Sequence, residues 1–245
     1  MAGLDGPRVP AASGGPPRQL VVLVHGYGAD GNDLIALAPY LQRALPHAAF
    51  VAPHGPSACD MSPMGRQWFP IDMNDPALMS RDPEAMLNRY GRMAESADKV
   101  APVLDSFIDA ELERHGLDGG ALALVGFSQG TMMSLHVGLR RNPAPASIVG
   151  FSGALLGPDA LQGEALSRPP VQLIHGDMDD LVPPQAMFAA AAALGRCGIS
   201  AGFHVSPGVG HGIAPDGIDV AVAHLAAGFA GRLPFGKPVS SILPE

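Results

Sequence analysis

Residues 121–141 read ALALVGFSQGTMMSLHVGLRR: an apolar run, a serine between glycines, and a helical pattern in direct succession. The centre, GFSQG (126–130), is a G-x-S-x-G placed where a strand should end and a helix begin. Such a sharp turn lifts a serine hydroxyl to the carboxyl edge of a sheet, near a helix N-terminus. Glycines at 126 and 130 are needed because larger side chains would crowd it. In a chain with 31 glycines the pentapeptide alone carries little weight, so its meaning depends on its surroundings.

On both sides of this stretch, short apolar runs alternate with helical patterns. The runs are LVVLV (20–24), AAFVA (48–52), ASIVGF (146–151), VQLIH (171–175) and SAGFHV (200–205), with ALALVG itself at 121–126. Being apolar nearly throughout, they predict strands buried on both faces of a parallel sheet. Helices are expected over 33–45, 83–115, 129–141, 184–195 and 217–230. Asp82 before Pro83 supplies an N-cap and a first-turn proline. Pro102 is expected to kink or split the long 83–115 pattern. The alternation predicts a doubly wound α/β architecture with helices on both faces. Residues 1–18, rich in Pro and Gly, read as an irregular arm, and 19–245 as one domain. Residues 54–82 read as one long irregular segment, of a length that is usually functional or mobile.

Composition narrows the function. The 245 residues are 47% hydrophobic and only 16% charged, with a net charge of −8. That balance offers no basic footprint for nucleic acid or anionic membrane. No apolar run approaches membrane-spanning length, and the N-terminus lacks the apolar core of a signal peptide. The two cysteines, Cys59 and Cys197, have no metal-site spacing and read as free thiols, so a cytoplasmic location is expected.

A serine hydroxyl needs a base, and the base needs an orienting acid. With a nucleophile at such an elbow, the acid and then the histidine should follow in loops after later strands. After VQLIH comes GDMDDLVP, offering Asp177, Asp179 and Asp180; after SAGFHV comes a glycine-rich loop holding His211. Ser128, Asp179 and His211 meet that order. His204 falls inside a strand pattern, and His136 and His224 inside helices, so these three read as structural.

The stretch HGYGADG (25–31) spells G-x-G-x-x-G after a strand, the fingerprint of a dinucleotide turn. A dinucleotide site wants an acid about 20 residues on, at the end of the next strand. There is no Asp or Glu between Asp33 and Asp60. The glycines fit an oxyanion loop better. There the backbone N–H of Tyr27 would join that of Gln129, the residue after the serine, in holding a substrate oxygen.

Together with LVHGYGADGND (23–33), APHGP (52–56), QWFPID (67–72), SG (152–153), HGDMDDLVP (175–183) and GH (210–211), GFSQG resembles the carboxylesterase and lysophospholipase family that includes the acyl-protein thioesterases. The resemblance runs in order from residue 19 onward. It implies an α/β-hydrolase fold without a large cap domain and a nucleophile at Ser128. The fifth position of its H-G-x-x-D-x-V-x-P pattern is the acid, which falls on Asp179, with Asp177 as the alternative; its G-H gives His211. It also implies hydrolysis of carboxylic esters, and of thioesters or lysophospholipids in some members, without metal or cofactor. A non-catalytic binding protein of the same fold is the reading from another class.

The partner expected is a small ester or lipid-like acyl substrate, not nucleic acid, and a homodimer is compatible. Trp68, Phe69 and Met64, with Met61, Met73 and Met79, are candidates for an acyl groove, since Met adapts to irregular ligands. Three departures from the family pattern stand out: Tyr27 where many members have leucine, Thr131 where a glycine is common, and Pro70-Ile71 between Trp68-Phe69 and Asp72.

Overall fold

The computed structural model of the chain describes residues 3–72, 75, 80, 82–164 and 167–237. Strands β1 (Arg8–Val9), β2 (Gln19–Val24), β3 (Ala48–Val51), β6 (Leu122–Phe127), β7 (Ser147–Phe151), β8 (Val171–Gly176) and β9 (Ala201–Ser206) form one sheet. Its order is β1-β3-β2-β6-β7-β8-β9. All neighbours are parallel except β1 against β3.

Alternate residues of each central strand enter different cores. Leu20, Val22 and Val24 of β2, with Leu122 and Leu124 of β6, face helices α3 (Pro83–His115), α4 (Gln129–Gly138) and α5 (Gln185–Arg196). Val21, Leu23, Ala123 and Val125 face α1 (Gly31–Leu34), α2 (Ala38–Gln42) and α6 (Pro215–Phe229). Both faces are covered, which is why these strands read as continuous apolar runs.

The register decides where chemistry can gather. Val24 pairs with Gly126, and Phe127 with Phe151, so β2, β6 and β7 end side by side. The loops after them, and after β8, open on one edge of the sheet, the usual place for ligands in open α/β sheets.

Four expectations need correction. The N-terminal arm is not wholly irregular. Arg8 pairs with Val51 in β1, His54 N–H donates to Asp5 O at 2.8 Å, and the Arg8 guanidinium pairs with buried Glu111 of α3 at 2.8 Å. A two-residue strand between prolines carries no periodicity to read.

The 33–45 helix is broken into α1, a 3-10 turn at Ile35–Leu37, and α2. Pro39, in the first turn of α2, has no N–H with which to continue the first helix. Conversely, Pro102 does not split α3, which continues through it. Buried Ala97 before the proline, and Leu104, Phe107 and Ile108 after it, fasten both halves to the same core.

The segment 54–82 is not structureless. It contains a hairpin of β4 (Ser57–Cys59) and β5 (Ser62–Gln67), with the loop candidates Met73 and Met79 outside the described residues.

Candidate active site

Ser128 stands between β6 and α4 with φ 53° and ψ −117°, a conformation that L-residues rarely adopt. The fold imposes it. A Cβ on Gly130 would lie 1.8 Å from Val24 O, and one on Gly126 would lie 2.4 Å from Gly130 O. The turn therefore closes only with hydrogen at both positions, while Ser128 N–H donates to Phe151 O at 2.9 Å. Thr131 secures the next turn: its hydroxyl lies 2.9 Å from Gly126 O and 2.8 Å from Phe151 O. Its methyl group occupies the space that side chains at Gly150 and Gly153 would need.

Gln129 heads α4, so its backbone N–H lies outside the helix's own hydrogen-bond ladder. Its side chain is fully buried and holds the segment before Ile71. Trp68 N–H donates to its Oε1 at 2.9 Å, and its Nε2 donates to Phe69 O at 2.7 Å.

The loop after β2 is held as closely. His25 is buried; its Nε2 accepts from Gly55 N–H at 2.8 Å, and its Nδ1 lies 2.8 Å from Gly26 O. An acceptor role at Nε2 leaves the proton on Nδ1, so the ring is neutral, and burial pulls its pKa below the usual histidine value. Trp68 Nε1 donates to His25 O at 2.9 Å. Strand β5 braces the far side, with Gly28 N–H donating to Arg66 O at 3.0 Å and Arg66 N–H to Ala29 O at 2.7 Å. The Tyr27 hydroxyl is buried; burial and the neighbouring Cys59 thiol push it up to about 12.

After β8, Asp179 is buried. Its Oδ1 accepts from Leu181 N–H at 3.1 Å and Val182 N–H at 2.9 Å, while its Oδ2 lies 2.8 Å from His211 Nδ1. His175 Nε2 lies 2.7 Å from Val182 O and 3.2 Å from the same Oδ2. Burial alone would raise the Asp179 pKa. The hydrogen bonds from His175, His211 and the Val182 backbone outweigh it and hold the carboxyl well below the usual carboxylate range. Asp177 instead accepts from Gly208 N–H at 2.6 Å and is exposed.

Ser128, Gln129, Tyr27 and His211 line one cavity of about 220 Å³, whose other walls include Met93, Met132 and Val182. The structure thus brings the first four together, with Asp179 behind His211. No group of three or more His, Cys, Asp or Glu suited to a metal ion occurs among the described residues.

A buried carboxylate against a histidine, on one cavity with a strained serine, is the arrangement expected of a nucleophilic hydrolase. The family model described as phospholipase/carboxylesterase matches residues 7–228.

The chain belongs to the phospholipase/carboxylesterase family.

Among its relatives, the esterase YpfH of Escherichia coli K12 is 27% identical over 211 residues, covering 86% of this chain and 83% of that protein. Acyl-protein thioesterase 1 of Saccharomyces cerevisiae is 27% identical over 190 residues, covering 74% and 78%. Of solved structures, esterase PE8 superposes with a TM-score of 0.83 at 43% identity, covering 91% of this chain and 98% of that one. Membership makes this chain a carboxylic-ester hydrolase of the α/β-hydrolase fold, without a large cap among the described residues. No helix among the described residues is long and apolar enough to cross a membrane.

Of the expected acyl-groove residues, none of the described ones lines this cavity. Trp68 and Phe69 are fully buried and serve as backbone partners of Gln129 rather than cavity walls. Met64 is 90% exposed on the hairpin. Its neighbour Gly65 faces inward, where a Cβ would lie 2.1 Å from Gly28 O, so strand alternation turns Met64 outward. Met61 is exposed likewise. Among the described residues, the methionines on this cavity are Met93 and Met132, from helices.

Sequence reasoning also missed His25, His175 and Arg66. A signal existed for the first two: the dipeptide His-Gly follows β2 at 25–26 and ends β8 at 175–176, and each histidine locks a loop of the site. The three histidines expected to be structural lie elsewhere: His136 pairs with Asp98 at 2.9 Å, His204 with Asp216 at 2.8 Å, and His224 is in α6.

Proposed function

We propose that this chain hydrolyses carboxylic esters and thioesters through an acyl-enzyme on Ser128. The observation that carries this reading is the 2.8 Å contact of His211 Nδ1 with Asp179 Oδ2, on the wall of the cavity that Ser128 also lines. The contact to Asp179 fixes the proton on Nδ1 and leaves Nε2 as the base. His211 takes the Ser128 proton as the hydroxyl attacks the acyl carbonyl, and Asp179 steadies the imidazolium that results.

The backbone N–H groups of Tyr27 and Gln129 stabilise the oxyanion, a contribution of about 10²–10³ in kcat per donor. His211 then protonates the departing alcohol or thiol and activates the water that frees Ser128. The cavity suits a short or medium acyl chain, since its walls are largely apolar and its volume is about 220 Å³. Cys59 and Cys197 are both free and buried, which suits a reducing cytoplasm.

Hydrolysis of p-nitrophenyl esters across chain lengths, together with an acyl-thioester series, tests the reading. Ser128→Ala is expected to lose at least about 10³-fold in kcat. Full activity in that variant would refute it.

A further inference from the structure

A second, larger cavity of about 550 Å³ lies beyond Phe127, between the α1–α2 segment and the start of α6. Phe127 lines both cavities, and its ring packs on His211 with centroids 5.0 Å apart. Ile213, two residues past His211, lines the second cavity too. Once Ser128 has attacked, the carbonyl C–O or C–S bond breaks and the departing oxygen or sulfur takes its proton from His211. The leaving group therefore departs on the His211 side. Phe127, packed on His211, and Ile213, two residues past it, bring the groove to that side.

Its lining has a definite chemistry. The floor is apolar, through Leu34, Leu37 and Ile218; Tyr40 and Phe127 contribute aromatic rings; Asp33 and Asp219 are exposed carboxylates; and among the described residues no Lys, Arg or His lines it. Aromatic faces beside carboxylates on an apolar floor suit an alkyl-ammonium group, which gains cation–π and Coulomb attraction without a costly dehydration.

We infer that the groove lined by Tyr40, Phe127, Asp33 and Asp219 is the leaving-group subsite and selects alcohols or thiols that carry an alkyl-ammonium charge. This rests on the serine-hydrolase reading and adds the side of the substrate that it leaves open.

Butyrylcholine and its uncharged carbon isostere, 3,3-dimethylbutyl butyrate, form the test pair. The kcat/KM ratio of the two is divided by their ratio under hydroxide-catalysed hydrolysis, which removes leaving-group reactivity. A second pair, S-acyl-cysteine peptides with lysine or norleucine beside the cysteine, separates a peptide source of the charge from a choline-type alcohol.

In the wild-type protein the charged partner is expected to be favoured about three- to tenfold at low salt, with the preference shrinking in about 0.5 M salt. The double variant Asp33→Asn, Asp219→Asn should bring the ratio close to one. A preference in either pair supports the inference and names the source. Equal rates in both pairs, with p-nitrophenyl esters still hydrolysed, overturn the inference alone. Failure to hydrolyse any ester overturns it together with the serine-hydrolase reading. The salt dependence of the wild type stands as evidence even if the double variant does not fold.

Discussion

His175 Nε2 approaches the same Asp179 oxygen that His211 uses, at 3.2 Å against 2.8 Å. His175 comes from within β8 and does not line the cavity, so it acts through Asp179. Replacing it with alanine leaves Val182 O and one carboxylate oxygen short of a donor in a buried site. The expected result is a loss of about 1–3 kcal/mol in stability and about tenfold in kcat, with KM little changed. His175→Gln, which keeps a donor, should recover part of both. Urea unfolding and steady-state kinetics on the two variants check this; equal kcat in His175→Ala and wild type would show that Asp179 needs no second partner.

Gln129 contributes its backbone to the site and its side chain to the scaffold. Gln129→Leu keeps the shape but strands Trp68 N–H and Phe69 O, both buried. A stability loss of about 2–4 kcal/mol is expected, or a fall in Tm of about 5–15 °C for a chain of this size. Calorimetry would measure it.

Gly65 and Met64 are adjacent and should respond oppositely. A Cβ at Gly65 meets Gly28 O at 2.1 Å, so Gly65→Ala must push the Tyr27 loop. Displacement of an oxyanion donor by about 1 Å should cost on the order of 10²-fold in kcat. Met64 is 90% exposed, and Met64→Gln should stay within about 0.5 kcal/mol of wild type with unchanged kinetics. A large kinetic effect at Met64 would return it to the substrate site.

Acid should destabilise the fold from two sources of the same sign. Burial lowers the pKa of His25, His136 and His224 below the usual histidine value of about 6.5, so below that pH the unfolded chain binds more protons than the folded one. Stability is then full above about pH 6.5 and declines as pH falls toward the lowered values. Asp179, also lowered, contributes stability above 3.8 that is lost as pH drops further. Unfolding free energies measured between pH 8 and pH 4 should fall steadily below about pH 6.5; a flat profile would mean that these histidines are not neutral in the folded state.

Much of the site was legible because its chemistry is local. The elbow glycines, the order of serine, acid and histidine, and the missing acid after Asp33 can each be read within a few residues of one strand end. The substrate residues were not legible. Trp68 and Phe69 look like groove aromatics by type, yet the backbone of each is spoken for by Gln129, about 60 residues away. Whether Met64 faces a cavity depends on which side of β5 meets the Tyr27 loop, and a short two-stranded hairpin leaves no run of alternation long enough to tell.

By itself the sequence determined the alternation of strands and helices, the parallel sheet and the elbow at Ser128. These follow from hydrophobic periodicity and from backbone conformations that only particular residues allow. Tertiary structure alone decided that Asp179, the acid the family pattern implies, lies against His211, which of the described methionines wall the cavity, and that a second groove opens past Phe127. Those outcomes depend on contacts between segments far apart in the chain, such as Asp179 with His211 and the α1–α2 segment with α6. Distances of that kind are set by how the layers pack and not by any local pattern.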